Sequence, residues 1–128
     1  MASVDIEKSQ LSQFLEEYMY TMNVSTRSIE TRVVGVTFEN RQAVVALLSE
    51  GERVSLIRDP DNPFDPNAVK VVRWDRQQIG FLDQEMAKIM APKMDRYRGT
   101  FIATVKRFTG GRYSGSSLGV VVRFYLPE

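Results

Sequence analysis

The first thirty residues divide into an apolar stripe and a polar stretch. Between 11 and 22, apolar side chains recur at the spacing of one helical face: Leu11, Phe14, Leu15, Tyr18, Met19 and Met22. This spacing predicts an amphipathic α-helix, with Glu16 and Glu17 off the stripe. Residues 23–30 are polar and have no clear period, which is typical of a linker. The helix could pack on the rest of the chain, associate with a second copy or dock on a partner protein.

From residue 31 onward, alternating apolar and polar positions predict short strands interrupted by two helices. Strands are expected at 31–38, 52–59, 67–74, 77–82, 99–108 and 118–126, and helices at 41–49 and from 83 to about 92. No strand–helix–strand spacing supports a doubly wound sheet. The pattern predicts a mainly β protein of the α+β kind, in which residues 1–30 precede a small antiparallel barrel formed by 31–128.

The same periodicity assigns inner faces to the elements. The last strand has the cleanest alternation, with one side formed by Leu118, Val120, Val122, Phe124 and Leu126. Asn40 and Asp83 are good N-caps for the two helices. The helical residues predicted to face inward are Val44, Leu47 and Leu48 in the first helix, and Met86, Ile89 and Met90 in the second.

Composition narrows the possible chemistry. The 128 residues include no cysteine and no histidine, which excludes a disulfide, a Cys/His zinc site and a Ser-His-Asp triad. The start of the chain has neither a signal peptide nor an apolar spanning run, so we expect a cytoplasmic protein, with nucleoid association as an option. The balance of Lys/Arg against Asp/Glu is −3 over residues 1–30 and +4 over 31–128. A mildly basic body suits a polyanionic partner without requiring one.

The segment from Arg58 to Val71 carries a stiff, acidic turn. Its three prolines restrict the backbone and disfavour helix, so the short side chains of Asp61, Asn62 and Asp65 are presented on a rigid loop. Such a loop could hold a small group such as a sugar hydroxyl, or these side chains could cap their own turn. The spacing lacks the glycine and closing glutamate of a calcium loop.

Four pieces of sequence, taken together, identify a family resemblance. They are Val33-Val34-Gly35-Val36, the run from Val54 to Val71 containing Asn-Pro-Phe-Asp-Pro-Asn-Ala-Val, then Ile79-Gly80-Phe81-Leu82, and the apolar helix that follows. In this order the chain resembles the HIRAN domain over roughly residues 31–126. The resemblance implies an oligonucleotide-binding-like (OB-like) β-barrel, here in a stand-alone form of the bacterial or phage type. In eukaryotic relatives the module precedes DNA-repair ATPases and captures the 3′ end of single-stranded DNA.

The resemblance also implies which side chains contact DNA. Phe38 stands where an aromatic ring stacks on a base, and Asn62 and Asp65 stand where polar groups contact the DNA end. The full set of predicted DNA-binding residues is Phe38, Asn62, Asp65, Phe81, Lys106, Arg107 and Phe108. The chain departs from the family pattern at four positions, where Thr37 and Gln84 replace basic residues, Glu39 replaces an aromatic residue and Phe81 replaces a polar ring.

These observations favour a DNA-binding module in repair or processing over an enzyme. The expected partner is the 3′ end of single-stranded DNA, with no cofactor, metal or membrane. One alternative is a protein-interaction adaptor that uses the N-terminal stripe for a homodimer or another protein. A second alternative is a metal-dependent nuclease, which would use Asp59, Asp61, Asp65 and Glu85.

Overall fold

The computed structural model describes residues 27–98, 100–111 and 116–126. This part of the chain forms β1 (Ser28–Val34), α1 (Arg41–Val45), β2 (Arg53–Arg58), β3 (Val69–Val72), β4 (Gln78–Leu82), α2 (Gln84–Tyr97), β5 (Phe101–Gly110) and β6 (Leu118–Tyr125). All strand pairs are antiparallel, and the strands close into a barrel in the order β1-β4-β3-β2-β5-β6. The predicted mainly β, OB-like barrel with two helices is confirmed. The predicted helix at 11–22 lies outside the described residues.

The barrel interior is filled by the side chains that alternate inward along the strands. On β6, Val120, Val122 and Phe124 are fully buried, as the alternation predicts. On β5, Ala103 and Val105 are buried in the same core cluster. Valine dominates these positions because a β-branched side chain packs well on a pleated surface. The two-residue period therefore identified the buried face of β6.

Helix α2 packs into this core through a face that includes small residues. The Asp83 side chain accepts a hydrogen bond from the backbone N–H of Met86 at 2.8 Å, so the predicted N-cap is confirmed. The buried positions of the helix are Ala87, Met90, Ala91 and Met94. The prediction that Ile89 faces inward is wrong, since Ile89 is exposed. Among the described residues, neither helix is long and apolar enough to span a membrane.

Helix α1 is shorter than predicted. Asn40 occupies the predicted N-cap position, but its backbone adopts a left-handed conformation (φ 62°) and its side chain makes no capping hydrogen bond. Val45 and Leu48 are buried, whereas Leu47, predicted to face inward, is exposed. Because the helix ends at Val45, Leu47 and Leu48 lie in the turn that follows it, and only Leu48 packs into the core.

The first strand differs from its prediction at both ends. The strand expected at 31–38 spans Ser28–Val34 instead. It ends where Gly35 adopts φ +72°, a left-handed conformation that L side chains rarely adopt. The chain therefore leaves the sheet at Gly35 and turns back toward α1.

The hairpin that joins β3 and β4 is organised by Asp75. The side chain of Gln77 donates to Asp75 Oδ2 at 2.6 Å, and its backbone N–H donates to Oδ1 at 3.2 Å. The Arg73 guanidinium pairs with the same carboxylate. The hydrogen bond from the Gln77 side chain is the largest cause lowering the pKa of Asp75 below its ordinary value, and Arg73 lowers it further.

We expect Asp75 to make stability depend on pH. Because its pKa is lower in the folded state, its contribution is present above the unfolded-state pKa of about 4 and is lost as pH falls through the folded value. Urea unfolding at neutral and acidic pH measures this effect. The stability gap between the wild type and Asp75→Asn should shrink with acid; a gap that stays constant would contradict the assignment.

Candidate functional site

The stiff loop between β2 and β3 is folded around the side chain of Asn62. Its Oδ1 accepts backbone hydrogen bonds from Phe64 at 2.9 Å and Asp65 at 3.1 Å. Its Nδ2 donates to Asp59 Oδ2 at 3.0 Å. Both lone pairs of the amide oxygen are thus used within the loop, and one N–H of the amide remains for another partner. Asn62 therefore shapes the loop, and its direct contact with DNA stays a prediction.

Asp65 is partly engaged in the same loop. Its Oδ1 accepts the backbone N–H of Asn67 at 2.9 Å, which forms an Asx-turn. Its backbone carbonyl accepts the N–H of Ala68 at 3.1 Å. An ionised carboxylate has about four acceptor positions, so a single backbone bond leaves acceptor capacity for a ligand donor.

Arg58 clamps the base of the loop. Its Nη1 donates to the carbonyl of Ala68 at 2.8 Å, and its Nη2 donates to the carbonyl of Pro66 at 2.9 Å. Its Nε donates to Asp95 Oδ1 of α2 at 2.9 Å. Most of the Arg58 side chain is buried, so the clamp fixes the loop to the body of the barrel. These bonds join the loop to β3 and to α2.

Phe64 is a candidate that sequence analysis missed. Its side chain is 93% exposed, although it lies between two prolines in a fixed loop. The two backbone bonds to Asn62 hold the chain on both sides of its Cα. The exposed ring adds little to the packing of the barrel, and it lies on the same loop as Asn62 and Asp65, which makes Phe64 a candidate for base stacking. Its sequence context could have identified it, because Phe64 is a large apolar residue in a polar turn that has no hydrophobic periodicity.

Phe38 and Phe81 border the same glycine on the outside of the barrel. A Cβ at Gly35 would lie 3.7 Å from Phe81 Cδ2 and 4.0 Å from Phe38 Cδ2. Phe38 is 66% exposed, whereas Phe81 on β4 is half-buried. The structure therefore brings these two predicted residues together, with the exposed ring of Phe38 available for stacking.

Arg41 supports this pair of rings and was not singled out by the sequence. It is only 7% exposed, and its guanidinium carbon lies 5.2 Å from the centroid of the Phe81 ring. Its Nη1 donates to the carbonyl of Gly35 at 2.9 Å, and its Nη2 pairs with Glu39 at 3.0 Å. A cation over a ring face holds that ring in place. Arg41 thus orients Phe81 and closes the turn that carries Phe38.

A row of outward side chains links the rings to the loop. Cross-strand pairing places Phe81 between Val34 of β1 and Lys70 of β3, and Lys70 next to Ile57 of β2. Val34 and Ile57 are exposed, and Lys70 is half-buried. Since Lys70 follows the loop by only a few residues, this row connects the polar corner with the aromatic pair and supplies a positive charge between them.

The three β5 residues predicted to bind DNA lie on another part of the wall. Arg107 is exposed and forms an ion pair with Glu30 of β1 at 3.0 Å. Phe108 is half-buried and packs against the core cluster. Lys106 is exposed beside a register shift in the β5–β6 ladder. The structure therefore separates them from the row that carries Phe81, and their contact with DNA stays a prediction.

The candidate metal ligands can be compared with this geometry. Asp59 and Asp65 are both engaged by groups of their own loop. Within the described residues, no group of three or more Asp, Glu, His or Cys side chains could hold a metal ion. The site as described offers exposed rings, one partly free carboxylate and a lysine.

A family model covers most of this chain. The model described as the HIRAN domain matches residues 26–126. The chain belongs to the HIRAN domain family. The match spans the whole barrel, from before the start of β1 to the residue after β6.

Curated relatives carry this HIRAN domain as a small part of long proteins. A Fanconi-associated nuclease 1 homolog of Arabidopsis thaliana is 30% identical over 103 residues, covering 78% of this chain and 11% of that protein. The Oryza sativa homolog is 40% identical over 73 residues, covering 54% of this chain and 7% of that protein. The human helicase-like transcription factor is 37% identical over 68 residues, covering 53% of this chain and 6% of that protein.

Solved structures agree with the family assignment. The crystal structure of the HIRAN domain of human HLTF has a TM-score of 0.59 and 28% identity, and the match covers 82% of this chain and 80% of that one. A structure from Lactobacillus plantarum has a TM-score of 0.56 at 19% identity, covering 77% of this chain and 99% of that one, which shows a shared fold.

Proposed function

We propose that this HIRAN domain is a binding module that recognises single-stranded DNA and its 3′-hydroxyl end. Membership of a family found in the Fanconi-associated nuclease 1 homologs and the helicase-like transcription factor supports a role in DNA repair or processing. The observation that carries the proposal is the 93% exposure of Phe64 on a loop that its own side chains hold rigid. The proposal assigns this surface a binding role.

Stacking provides the first part of the mechanism. Phe64 and Phe38 expose flat ring faces, and bases stack on such rings regardless of sequence, at about 1–3 kcal/mol each. Lys70 lies beside Phe81 in the row between the two rings, where it can neutralise a backbone phosphate. Binding should cost little conformational entropy, because hydrogen bonds already hold the loop that carries Phe64 and the turn that carries Phe38.

End recognition provides the second part. The acceptor capacity of Asp65 suits a donor, and a terminal 3′-hydroxyl is a donor. A 3′-phosphate has no such donor when ionised and would be repelled by the carboxylate. The proposal therefore assigns the choice of the 3′ end to Asp65, with Asn62 and Arg58 holding it in position.

The substitution Asp65→Asn removes the negative charge of the side chain while keeping the turn that it forms. The amide oxygen of asparagine can still accept the N–H of Asn67, so the Asx-turn and the loop are kept. We expect the wild type to bind a 3′-hydroxyl strand about 10- to 100-fold more tightly than a 3′-phosphorylated one, the range for a hydrogen bond to a charged group. In Asp65→Asn this ratio should fall toward one. Fluorescence anisotropy with the two labelled oligonucleotides measures both constants.

A strand with a 5′-phosphate is the control, because it changes total charge without changing the 3′ end. Equal binding of the 3′-hydroxyl and 3′-phosphorylated strands by the wild type would refute end recognition. Failure to bind single strands at all, under conditions in which the protein is folded, would refute the DNA-binding proposal itself.

The adaptor and nuclease alternatives stay predictions. The adaptor depends on residues 11–22, which lie outside the described residues. Light scattering on the full chain, with and without a candidate partner, tests it. Incubation of labelled single strands with Mg²⁺ or Mn²⁺ tests the nuclease, which predicts shortened products.

A further inference from the structure

The outer side of α2 carries three basic side chains that we call the basic face of α2: Lys88, Lys93 and Arg96. Lys88 and Arg96 are exposed, and Lys93 is half-buried. Within residues 27–98, 100–111 and 116–126, none of the three forms an ion pair. The guanidinium carbon of Arg96 lies 5.7 Å from the ring centroid of its neighbour Tyr97. The charges of this face are therefore available to an anionic ligand.

The acidic residues of the same helix do not cancel this positive charge. Asp95, next to Arg96, is already neutralised by Arg58, whose Nε donates to Oδ1 at 2.9 Å and whose Nη2 donates to Oδ2 at 3.4 Å. Glu85 lies in the first turn, where the positive end of the helix dipole favours a carboxylate. The outer side of α2 therefore has a net positive charge from Lys88 to Arg96.

Helix α2 lies at the same end of the barrel as the β2–β3 loop. It begins at Gln84, directly after β4, and Phe81 of β4 pairs with Lys70 at the start of β3. Near its other end, Asp95 is bound by Arg58, the residue that clamps the loop. The helix therefore runs beside the row of outward side chains, from the strand that carries Phe81 to the strand that ends at Arg58.

The geometry of the helix places the basic face next to this row. Lys88 precedes Asp95 by seven residues, which is almost two full turns, so both side chains leave the helix on the side of Arg58 and the loop. Arg96 and Lys93 follow around the outer surface. From Lys88 to Arg96 the helix rises about 12 Å, a length over which a stacked strand carries three or four phosphates, at about 3.4 Å each.

We propose that the basic face of α2 binds the phosphate backbone of the strand whose 3′ end is held by the β2–β3 loop, at nucleotides on the 5′ side of that end. This inference rests on the proposed function and extends its site. Lys and Arg neutralise phosphates whatever the base, so these contacts add affinity and salt dependence without sequence preference. The loop then selects the end of the strand, and α2 favours strands long enough to cross it.

The double variant Lys88→Gln/Arg96→Gln tests this contact. Both positions are exposed, and glutamine has nearly the helix propensity of lysine and arginine, so the fold is kept. A thymidine trinucleotide and a strand of about 12 nucleotides, both with a free 3′-hydroxyl, are titrated by anisotropy at several salt concentrations. For the long strand, the slope of log K against log salt should become shallower by about 1.4, since each phosphate contact on a single strand contributes about 0.7. The affinity for the trinucleotide should change by no more than about 2-fold.

Arg76→Gln is the matched control for the single variant Arg96→Gln. Arg76 is exposed on the β3–β4 hairpin, which lies at the opposite end of β3 from the loop, and its substitution removes the same charge. This control should leave the salt slope unchanged. A slope that does not change in the double variant, an equal loss for both strand lengths, or equal effects of Arg76→Gln and Arg96→Gln would overturn the proposal.

The preference for a 3′-hydroxyl over a 3′-phosphate separates this inference from the proposed function. If the slope is unchanged while that preference persists, the loop still recognises the end and only the role of α2 is refuted. If the wild type binds neither strand, the proposed function and the role of α2 are both refuted.

Tethered cleavage locates the strand directly, because the protein has no cysteine of its own. Ile89→Cys places one thiol on the outer side of α2, one turn from Lys93, at a position that is 46% exposed, and it keeps all three basic residues. An iron chelate attached there should cut the strand at a fixed number of nucleotides from its 3′ end, whatever the strand length. The cuts should exceed those from a chelate at Trp74→Cys by at least about 10-fold, because a bound strand has a high effective concentration near the tether. Equal cutting from the two positions, or cuts spread evenly along the strand, would contradict the assignment.

Discussion

Gly80→Ala should cost about 3 kcal/mol of stability, the upper part of the range for overpacking a well-packed site. A Cβ at Gly80 would lie 2.3 Å from the carbonyl oxygen of Val34 and 2.8 Å from Cγ1 of Val33. The first of these is a backbone atom of the neighbouring strand, so no side-chain rotation relieves the contact. The β1–β4 pair would have to separate, at the place where it carries Phe81.

Urea unfolding of the wild type and Gly80→Ala measures this cost. Gly51→Ala is the matched control: a Cβ at Gly51 meets nothing within 4 Å, but its φ of +86° is strained for alanine. That control should lose about 1–2 kcal/mol from backbone strain alone. If Gly80→Ala is as stable as the wild type, the close approach of β1 to β4 is wrong.

The fold could be predicted from the sequence where burial alone decides the pattern. In β6 every second residue faces the core, so the two-residue period of Val120, Val122 and Phe124 identifies the strand and its face. The helix faces were harder. Hydrophobicity alone predicts that Ile89 is buried in preference to Ala87. In the structure α2 packs closely on the barrel through a face that includes Ala87 and Ala91, and a small side chain allows this close approach.

The site was predicted only in part, because hydrogen-bond networks leave little trace in a single sequence. The run containing Asn62 and Asp65 was found by its prolines, and of the two alternatives given for its side chains the structure shows self-capping for Asn62. Arg41 looked like an ordinary first residue of a helix, and its burial under the turn depends on Gly35 and Phe81. The contact of Arg41 with Phe81 joins residues far apart in the chain, and only the closed barrel brings them together.

Removing the ring of Phe64 should weaken single-strand binding with little effect on folding. Phe64→Ala loses one stacking contact of about 1–3 kcal/mol, which corresponds to about a 5- to 150-fold higher Kd. Because the side chain is 93% exposed, the free energy of unfolding should change by no more than about 0.5 kcal/mol. Anisotropy titration with a short oligothymidylate and urea unfolding measure the two quantities. Trp74→Ala, which removes another exposed ring, is the control and should bind as the wild type does.

The double variant Phe38→Ala/Phe64→Ala tests whether the two rings contact the same DNA strand. If each ring stacks a different base, the two losses in binding free energy add, since independent sites are additive within about 0.5 kcal/mol. If both rings hold the same base, the double variant loses less than the sum. Two single variants that bind like the wild type would instead place the DNA elsewhere on the barrel, and Lys106 and Arg107 would then be the next residues to substitute. A loss of binding in both single variants, additive or not, would place the turn that carries Phe38 and the β2–β3 loop on one DNA-binding surface, because both rings then contact the same ligand.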